Sequence, residues 1–401
     1  MRPLDDLFVV DLSRILSGPV CTMVMADMGA EVIKVEPPPH GDDSRQWGPP
    51  FVGGISTYFH SINRNKKSLG LNLKTEAGRK ILWQLVERAD VVIENFRPGV
   101  LDRLGFGYDA VARRNSRAVY CSISGYGQTG PYRSRPGYDV IAQGESGIMD
   151  VTGYPDGPPA KVGASIADIV AGLQALNGIL LALLARHRTG KGQRIDVSLL
   201  DSSISTLTYQ ALIYLATGRS PQRMGARHPS IVPYEAFHAS DGYVIIGVTN
   251  QKQWANFCRI LELIGLESDP RFEKMEQRLS HYSELKALVD PLIRKMRRAD
   301  VIQKMNAAGI PAGPINTVGE ALEDPQVQAR DMVQELIHPE YGPIRLLGIP
   351  VKLSDTAGSL ATAPPRFGEH NETILRSLGY DANTIKTLVT NSVISALEPL
   401  L

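Results

Sequence analysis

The sequence has 401 residues, of which 43% are hydrophobic and 21% charged, and its 43 basic and 42 acidic side chains leave a net charge of +1. This length allows two or three domains with ample core, and the near-neutral charge argues against a general nucleic-acid or membrane-surface binder, though a local basic pocket stays possible. Three widely spaced cysteines, Cys21, Cys121 and Cys258, indicate neither a disulfide scaffold nor a zinc site. We therefore expect a reducing compartment.

The N-terminus reaches a predicted strand within eight residues, which leaves no room for a signal peptide. We expect a cytoplasmic protein, or a matrix protein if it works in a mitochondrion. The only segment apolar enough to suggest a membrane span is Ile169–Ala185. It is short of the ~20 residues needed and contains Gln174 and Asn177, so it predicts a buried helix and no membrane partner.

The chain opens with a β-α-β pattern. Phe8–Leu12 and Glu31–Glu36 are apolar runs typical of buried strands, and Val20–Met28 predicts a helix between them. The first turn, from Asp11 to Gly18, lacks the glycine fingerprint of dinucleotide-binding proteins. We therefore predict a Rossmann-like topology without that cofactor.

Basic and polar residues follow the next strands. Four cations, Arg64, Lys66, Lys67 and Lys74, surround the predicted strand Ser68–Leu73, and indicate either a solvated edge or a phosphate-binding rim. After the helix Glu76–Ala89 and the strand Val91–Ile93, four residues lie where ligands bind in such sheets, at a carboxyl end of a strand. They are Asn95, Phe96, Arg97 and Arg103.

A glycine motif follows the predicted strand Ala118–Ser124. Gly125–Gly130 spells GxGxxG, but Pro131 and residues 133–137 predict no helix to receive a pyrophosphate, so we regard the match as accidental. The next helix is predicted to start at Tyr138-Asp139. Asp139 is then either an ordinary helix-start carboxylate or a residue that positions a nearby group.

Asp168 stands between a turn-rich segment and the long apolar run. An Asp in this place is usually a helix N-cap, but it can also be a nucleophilic carboxylate aimed into a cleft. The small residues around it indicate either space for a bulky ligand or tight helix packing. They are Gly163, Ala164, Ala167, Ala171 and Gly172.

The remaining pattern predicts an α/β protein with a parallel sheet in a large Rossmann-like domain, residues 1–224, a smaller α+β domain, residues 225–325, and a C-terminal return to the large domain, residues 326–401. The predicted elements are strands at Gln193–Leu199, Tyr243–Val248, Ile344–Leu347 and Val351–Leu353, and helices at Ser202–Thr217, Lys252–Ile264, within Ser283–Ala308, at Asn371–Ser377 and at Asn383–Val389.

Several short motifs, taken together, resemble those of the class III (CaiB/BaiF-type) coenzyme A-transferases over nearly the whole chain. The motifs are Leu16-Ser-Gly-Pro19, Gly29–Glu36, Asn65–Ser68, Glu94–Gly99, Arg135–Asp139, Thr152-Gly153, Asp168 with its helix, and Thr189–Gln193. The succinyl-CoA:dicarboxylate branch, including the glutarate-using enzyme, is the most similar. The motifs that resemble this branch are Gly41–Gly53, Ser56-Thr-Tyr58, Gly125–Pro131 and Ser230–Phe237.

The resemblance implies an interlocked homodimer that moves CoA from an acyl-CoA, here succinyl-CoA, to a small dicarboxylic acid, with acylation at Asp168. It implies no metal and no permanently bound cofactor, since CoA thioesters are substrates. The CoA-binding positions it implies are Leu71, Lys74, Asn95, Phe96, Arg97, Arg103 and Tyr138. Arg45, Tyr58 and His228 are our candidates for the acceptor-acid pocket.

Three departures from the family pattern matter, the first for a phosphate contact of CoA and the other two for the substrate. Pro37 stands where some members have an arginine, Leu16 where the formyl-CoA enzyme has a glutamine, and Gly225–Pro233 where that enzyme has a glycine-rich loop. Formyl-CoA and oxalate are therefore not the expected natural pair. Succinate-, glutarate-, malate- and itaconate-type acceptors all remain open.

Two other functions are weighed against CoA transfer. An acyl-CoA racemase of the same superfamily would use a histidine where this chain has Tyr138, and a phenol of pKa ~10 is a poor base. A non-catalytic CoA-binding subunit is disfavoured by the intact Asp168. For the transferase, we expect the helix N-terminus to keep Asp168 ionised.

Overall fold

The computed structural model describes residues 1–338 and 341–396 and divides the chain into two compact units. The first unit comprises Met1–Ile148, Lys161–Leu212 and Pro325–Leu401, and the second comprises Met149–Ala160 and Ile213–Asp324. The sequence predicted a domain boundary at 224/225, whereas the compact units divide at 212/213, and the second unit also includes residues 149–160. The chain thus crosses between the units four times.

The strands are β1 (Phe8–Asp11), β2 (Glu31–Glu36), β3 (Phe51–Val52), β4 (Ile55–Ser56), β5 (Lys67–Gly70), β6 (Val91–Glu94), β7 (Val119–Ser124), β8 (Arg194–Ser198), β9 (Tyr234–Ala239), β10 (Gly242–Gly247), β11 (Ala312–Pro314), β12 (Val333–His338) and β13 (Gly342–Leu347). Short 3-10 turns cover Asp43–Gln46 and Leu266–Ser268.

The helices are α1 (Ser17–Asp27), α2 (Thr57–His60), α3 (Glu76–Val86), α4 (Val100–Leu104), α5 (Tyr108–Arg114), α6 (Asp139–Glu145), α7 (Ile148–Val151), α8 (Ile166–Thr189), α9 (Leu199–Thr206), α10 (Tyr209–Thr217), α11 (Gln251–Ile260), α12 (Met275–Ser280), α13 (Tyr282–Ile293), α14 (Arg298–Ala307), α15 (Val318–Glu323), α16 (Pro325–Ala329), α17 (Asn371–Ser377) and α18 (Ala382–Thr390).

The first unit is built on a six-stranded sheet in the order β5-β2-β1-β6-β7-β8, with every adjacent pair parallel. Alternate side chains face opposite sides: Val9 packs with the α1 and α8 side, and Val10 packs with the α3, α17 and α18 side. Because both faces are covered, these strands are continuous apolar runs in the sequence. The predicted parallel sheet is confirmed.

Two predictions for the rest of the chain are wrong in detail. The predicted helix Ser202–Thr217 is two helices, α9 and α10, because Thr208 has a left-handed backbone with φ of 42°. Residues Val351–Leu353 form no strand. In the second unit, which is described by itself, an antiparallel sheet in the order β11-β10-β9 packs its buried side chains with those of α11, α13 and α14.

Helix α8 lies against α1 and β7 in the first unit. A Cβ atom added at Gly172 would lie 2.5 Å from the carbonyl oxygen of Ser17, and Ala167 and Ala171 are fully buried. The small residues at 167, 171 and 172 therefore serve close helix packing, whereas Gly163 and Ala164 are exposed. By length and composition alone α8 could also cross a membrane. Two of its leucines, Leu181 and Leu184, are exposed.

Candidate active site

A cavity of about 100 Å³ lies at the carboxyl ends of the central strands of the sheet. Loops that follow β1, β6 and β7 meet there, as expected for ligand sites in open parallel sheets. The lining residues are Ile15, Ser17, Asn95, Ile123, Ser124, Gly125, Gly137, Tyr138, Asp168 and Leu199. The cavity therefore contains Asp168 and two of the predicted CoA-binding residues, Asn95 and Tyr138.

Asp168 is not the N-cap of its helix. Helix α8 starts at Ile166, with Ser165 in the N-cap position, so Asp168 is the third residue of the first turn. The side chain of Ser165 makes no capping hydrogen bond. The capping interpretation of Asp168 is therefore wrong, and its carboxylate is left to face the cavity.

The first turn of α8 is capped from another helix. The Oδ1 atom of Asp139, the first residue of α6, accepts the backbone N–H of Ala167 at 2.9 Å and that of Asp168 at 3.4 Å. These are the second and third residues of α8, the positions that an N-cap side chain normally serves. Of the two readings of Asp139, the positioning one describes its contacts, because its carboxylate caps α8 and not its own helix.

The pKa of the Asp168 carboxyl is raised to about 7. Burial is the main cause, and the negative charge of Asp139 adds to it, while a hydrogen bond from the Ser17 hydroxyl acts in the opposite direction. The expectation that the helix N-terminus keeps Asp168 ionised needs correction. A carboxyl with a pKa of about 7 is about half protonated at pH 7.

Tyr58, on α2, lies beside the same carboxylates. Burial, followed by the charges of Asp168 and Asp139, raises the pKa of its phenol to about 12, and a hydrogen bond with Ser165 opposes the shift. The ring packs edge-on against Trp47 with centroids 5.3 Å apart. Tyr58 therefore stays a neutral phenol near Asp168 throughout the physiological pH range.

The loop after β1 is fixed in a strained conformation. Ile15 has a left-handed backbone, with φ of 67°, which is unfavourable for a β-branched residue. Its N–H donates to the carboxylate of Asp42 at 3.1 Å, and Asp42 forms a 2.8 Å ion pair with Lys34. On the other side, Asn95 accepts the N–H of Arg14 at 2.8 Å and donates to its carbonyl at 2.7 Å. These contacts hold the cavity wall in place.

Two of the four cations around β5, Arg64 and Lys66, are buried, so neither the solvated edge nor the phosphate-binding rim describes them. The Nζ atom of Lys66 donates to Asn63 at 2.9 Å and lies 3.3 Å from Asp11, and Arg64 pairs with Asp27 at 2.6 Å. Burial lowers the pKa of Lys66 to about 8. These cations hold loops together inside the unit.

Arg45 is held in a buried ion pair, which argues against its predicted role in the acceptor pocket. Its side chain is 7% exposed and binds both carboxylate oxygens of Glu36, at 2.7 and 2.8 Å. A third N–H donates to the carbonyl of Pro365, and the guanidinium lies 3.7 Å from the ring centroid of Phe59. Three of the five N–H donors of Arg45 are thus used inside the protein, and Phe59 covers one face of the guanidinium.

A second cavity, of about 400 Å³, collects three other predicted CoA-binding residues. Leu71, Lys74 and Phe96 line it, together with Arg14 and the prolines after β2. The guanidinium of Arg14 lies 5.1 Å from the ring centroid of Phe96. Arg97 and Arg103 are exposed and line neither cavity, so their predicted contacts with CoA stay predictions.

The third acceptor-pocket candidate, His228, belongs to the second unit. Its Nδ1 accepts the N–H of Ser230 at 3.0 Å, and its ring packs edge-on against Tyr234. In the same unit a cavity of about 670 Å³ carries three cations, Arg223, Arg227 and Lys286, against one carboxylate, Glu235. His228 does not line that cavity, so its role in acceptor binding stays a prediction.

The GxGxxG segment is accidental, as predicted. It follows β7 with bends and turns, and the next helix, α6, begins only at Asp139. Within residues 1–338 and 341–396, no group of three His, Cys, Asp or Glu side chains is arranged to hold a metal ion. The site is thus a carboxylate surrounded by hydroxyl, phenol and amide groups.

Residues 4–371 match CoA-transferase family III. The chain belongs to this family. Over 399 residues it is 42% identical to a succinyl-CoA:glutarate CoA-transferase of Mus musculus, which covers 99% of this chain and 92% of that protein. Over 353 residues it is 44% identical to an acetyl-CoA:oxalate CoA-transferase of Acetobacter aceti, covering 88% of this chain and 89% of that protein.

The fold of this CoA-transferase is shared with a solved relative. The crystal structure of a CaiB/BaiF family protein from Brucella suis matches with a TM-score of 0.84 at 44% identity, and the match covers 94% of this chain and 99% of that one. The family resemblance and the enzyme class predicted from the sequence are confirmed. The sequence predicted that oxalate is not the natural acceptor, on the basis of Leu16 and the loop Gly225–Pro233. This stays a prediction, since one of the relatives is named for oxalate.

Sequence reasoning missed two residues of the CoA-transferase site and left a third undecided. Asp42 lay in a segment treated as a polar loop, and Ser17 was quoted only as part of a motif. Asp139 was noticed, but its contact with α8 could not be derived from a helix 28 residues away. The one available signal was the polar, glycine-bounded run Gly41–Arg45, a composition typical of a loop that binds backbone groups.

Proposed function

We propose that this CoA-transferase moves CoA from succinyl-CoA to a dicarboxylic acid through covalent intermediates on Asp168. One observation carries the proposal. The carboxyl of Asp168, in the first turn of α8, faces a cavity, and its pKa is raised to about 7. A carboxyl group in a cleft whose pKa is shifted by burial and a neighbouring charge is a candidate functional group. The names of the relatives support succinyl-CoA as donor and a dicarboxylate as acceptor.

The chemistry conserves the energy of the thioester. An Asp168 oxygen attacks the thioester carbonyl carbon, the C–S bond breaks, and CoA leaves as a thiolate from a mixed anhydride. The thiolate then attacks the aspartyl carbonyl carbon, the anhydride C–O bond breaks, and succinate leaves. The acceptor carboxylate runs the same two steps in reverse.

Neighbouring donors support these steps. The Ser17 hydroxyl hydrogen-bonds the Asp168 carboxyl, and the Tyr58 phenol lies within reach of its charge. Both are our candidates to stabilise the negative charge that develops on oxygen during each attack. Fixed donors of this kind stabilise oxyanions in a site from which water is excluded. A nucleophile with a pKa near 7 is both ionised at slightly alkaline pH and more basic than an ordinary aspartate.

The decisive experiment is CoA exchange. The protein is incubated with succinyl-CoA and, separately, glutarate, malate, itaconate and oxalate, and new acyl-CoA species are identified by mass. Exchange with none of them would contradict the proposal. Loss of handedness of a chirally pure 2-methylacyl-CoA would instead support the racemase alternative.

The nucleophile is tested separately with Asp168→Asn. This variant should abolish the aspartyl-CoA adduct that hydroxylamine or borohydride traps in the wild type. Asp109→Asn, which changes an exposed carboxylate in the first turn of α5, is the matched control and should leave trapping intact. Full turnover of the Asp168 variant would place the nucleophile elsewhere.

We also propose that the enzyme is a homodimer, interlocked as the family resemblance implies. Helix α8 exposes Leu173, Leu180, Leu181 and Leu184, and no residue of α10 is buried within the chain. Apolar surface on this scale is typical of an interface between subunits. Sedimentation equilibrium at the mass of one chain, 43.8 kDa, across the micromolar range would contradict the proposal.

A further inference from the structure

Asp139 uses both carboxylate oxygens near the nucleophile. Oδ1 accepts the N–H groups of Ala167 and Asp168, and Oδ2 accepts a hydrogen bond from the side-chain amide of Gln143 at 2.8 Å. Gln143 is fully buried, and its Oε1 accepts the N–H of Val162 at 2.9 Å. Asp139 and Gln143 therefore tie α6 to both the first turn of α8 and the loop that leads into it.

This arrangement removes the usual advantage of a helix N-terminus for Asp168. The free N–H groups of a first turn normally stabilise a nearby anion. Here Asp139 takes two of them, so the positive end of α8 is directed at Asp139. Asp168 is left beside a second negative charge, with the Ser17 hydroxyl of α1 as its hydrogen-bond donor.

We propose that Asp139 is a positioning residue for CoA transfer, whose carboxylate holds the first turn of α8 and whose charge favours acylated Asp168 over the free carboxylate. This inference rests on the proposed covalent role of Asp168. Acylation turns that carboxylate into a neutral anhydride or thioester. One of two adjacent negative charges then disappears, and their repulsion with it.

The groups that face Asp168 come from several elements. Asp139 comes from α6, Ser17 from α1 and Tyr58 from α2, and Tyr138 precedes Asp139 at the cavity wall. Of these, only Asp139 brings a second negative charge at neutral pH, because the pKa of Tyr58 is raised to about 12. Removing the charge of Asp139 should therefore act on Asp168 directly.

The test is Asp139→Asn. Asparagine retains an oxygen that can cap the first turn, as Asn commonly does at N-cap positions, but it carries no charge. The Asp168 titration is followed by ¹³C NMR of labelled aspartate carboxyls in the full-length protein, and the signal is assigned with Asp168→Asn. We expect the midpoint to fall by about one pH unit, the order of magnitude for one nearby like charge.

A second readout follows the covalent adduct. After mixing with succinyl-CoA at pH 8.5, where Asp168 is ionised in both proteins, mass spectrometry should find several-fold less aspartyl-CoA adduct in Asp139→Asn than in the wild type. Asp109→Asn, the control defined above, should match the wild type in both measurements. Asp139→Ala removes the cap as well and should also lower the melting temperature.

The outcomes separate this inference from the proposed function. An unchanged midpoint in Asp139→Asn would overturn the role of the charge, and a lowered midpoint with an unchanged adduct level would overturn its effect on acylation. If the wild type forms no adduct and exchanges no CoA, the covalent mechanism is wrong. The NMR midpoint still tests the electrostatic coupling in that case, because it needs no turnover.

Discussion

The ionised carboxylate of Asp168 should lower the free energy of unfolding, and the size of this loss should depend on pH. Asp168 titrates with a pKa of about 7 in the folded chain, against 3.8 for an unperturbed carboxyl. Between these values the folded state binds more protons than the unfolded state, so stability falls as pH rises and the loss is complete above pH 7. Asp168→Asn removes the titration, so it should make the protein more stable at alkaline pH.

The size of the effect follows from the pKa difference. A shift of about 3 units, at roughly 1.4 kcal/mol for each, sets an upper limit of about 4 kcal/mol. The side chain of Asp168 is only partly buried and borders a cavity, so the measured value should be smaller. The pKa of about 7 lies about 1.5 units above pH 5.5, and above pH 7 no further loss occurs. From pH 5.5 to 8.5 the variant should therefore gain about 2 kcal/mol of stability relative to the wild type.

Urea denaturation at the two pH values measures this difference directly. Equal urea m-values for wild type and variant are required, so that the change in midpoint reports stability. Asp109→Asn is again the control, and its difference from the wild type should stay the same at both pH values. If the advantage of Asp168→Asn does not grow from pH 5.5 to 8.5, the raised pKa is refuted.

Three further substitutions test the assignments around the site. Arg45→Gln should cost about 3–5 kcal/mol in urea denaturation, because Glu36 loses its buried partner, without changing which acceptors are used. Gly172→Ala places a Cβ 2.5 Å from the Ser17 carbonyl, so we expect a loss of about 1–3 kcal/mol and slower CoA exchange. Tyr58→Phe removes a candidate donor near Asp168 and should lower kcat by about 100-fold or more with the KM for succinyl-CoA unchanged; an unchanged kcat would exclude Tyr58 from the reaction.

The parts of the fold that are coded locally were predictable. Runs such as Phe8–Leu12 and Ala118–Ser124 are buried on both faces of the sheet, and continuous apolar runs between turn residues indicate such strands. Asp168 was also predictable as a candidate nucleophile, because it is a carboxylate at a predicted helix start and lies among family-specific motifs. Its exact place in the helix was not, since α8 begins three residues earlier than its apolar run.

The partners of the charged residues were not predictable. Lys66 reaches Asp11 across 55 residues, and Arg45 reaches the carbonyl of Pro365 across 320. A single sequence shows how many charges a segment carries but not which charges pair. The cluster at β5 was therefore interpreted as a solvated edge or a phosphate-binding rim. Only the three-dimensional arrangement reveals that these cations are compensated inside the unit.

The buried charges and the strained loop are parts of one arrangement. Ile15 is held at a left-handed φ by Asp42, and Asp42 is held by Lys34, whose Nζ also donates to the carbonyl of Ser13 at 2.8 Å. The loop thus enters α1 in a fixed position, and α1 begins with Ser17, the donor to Asp168. An unstrained loop could move the Ser17 hydroxyl away from the carboxyl. Buried ion pairs add little net stability, but they specify one geometry. In this enzyme that geometry is the wall of the cavity that faces the nucleophile.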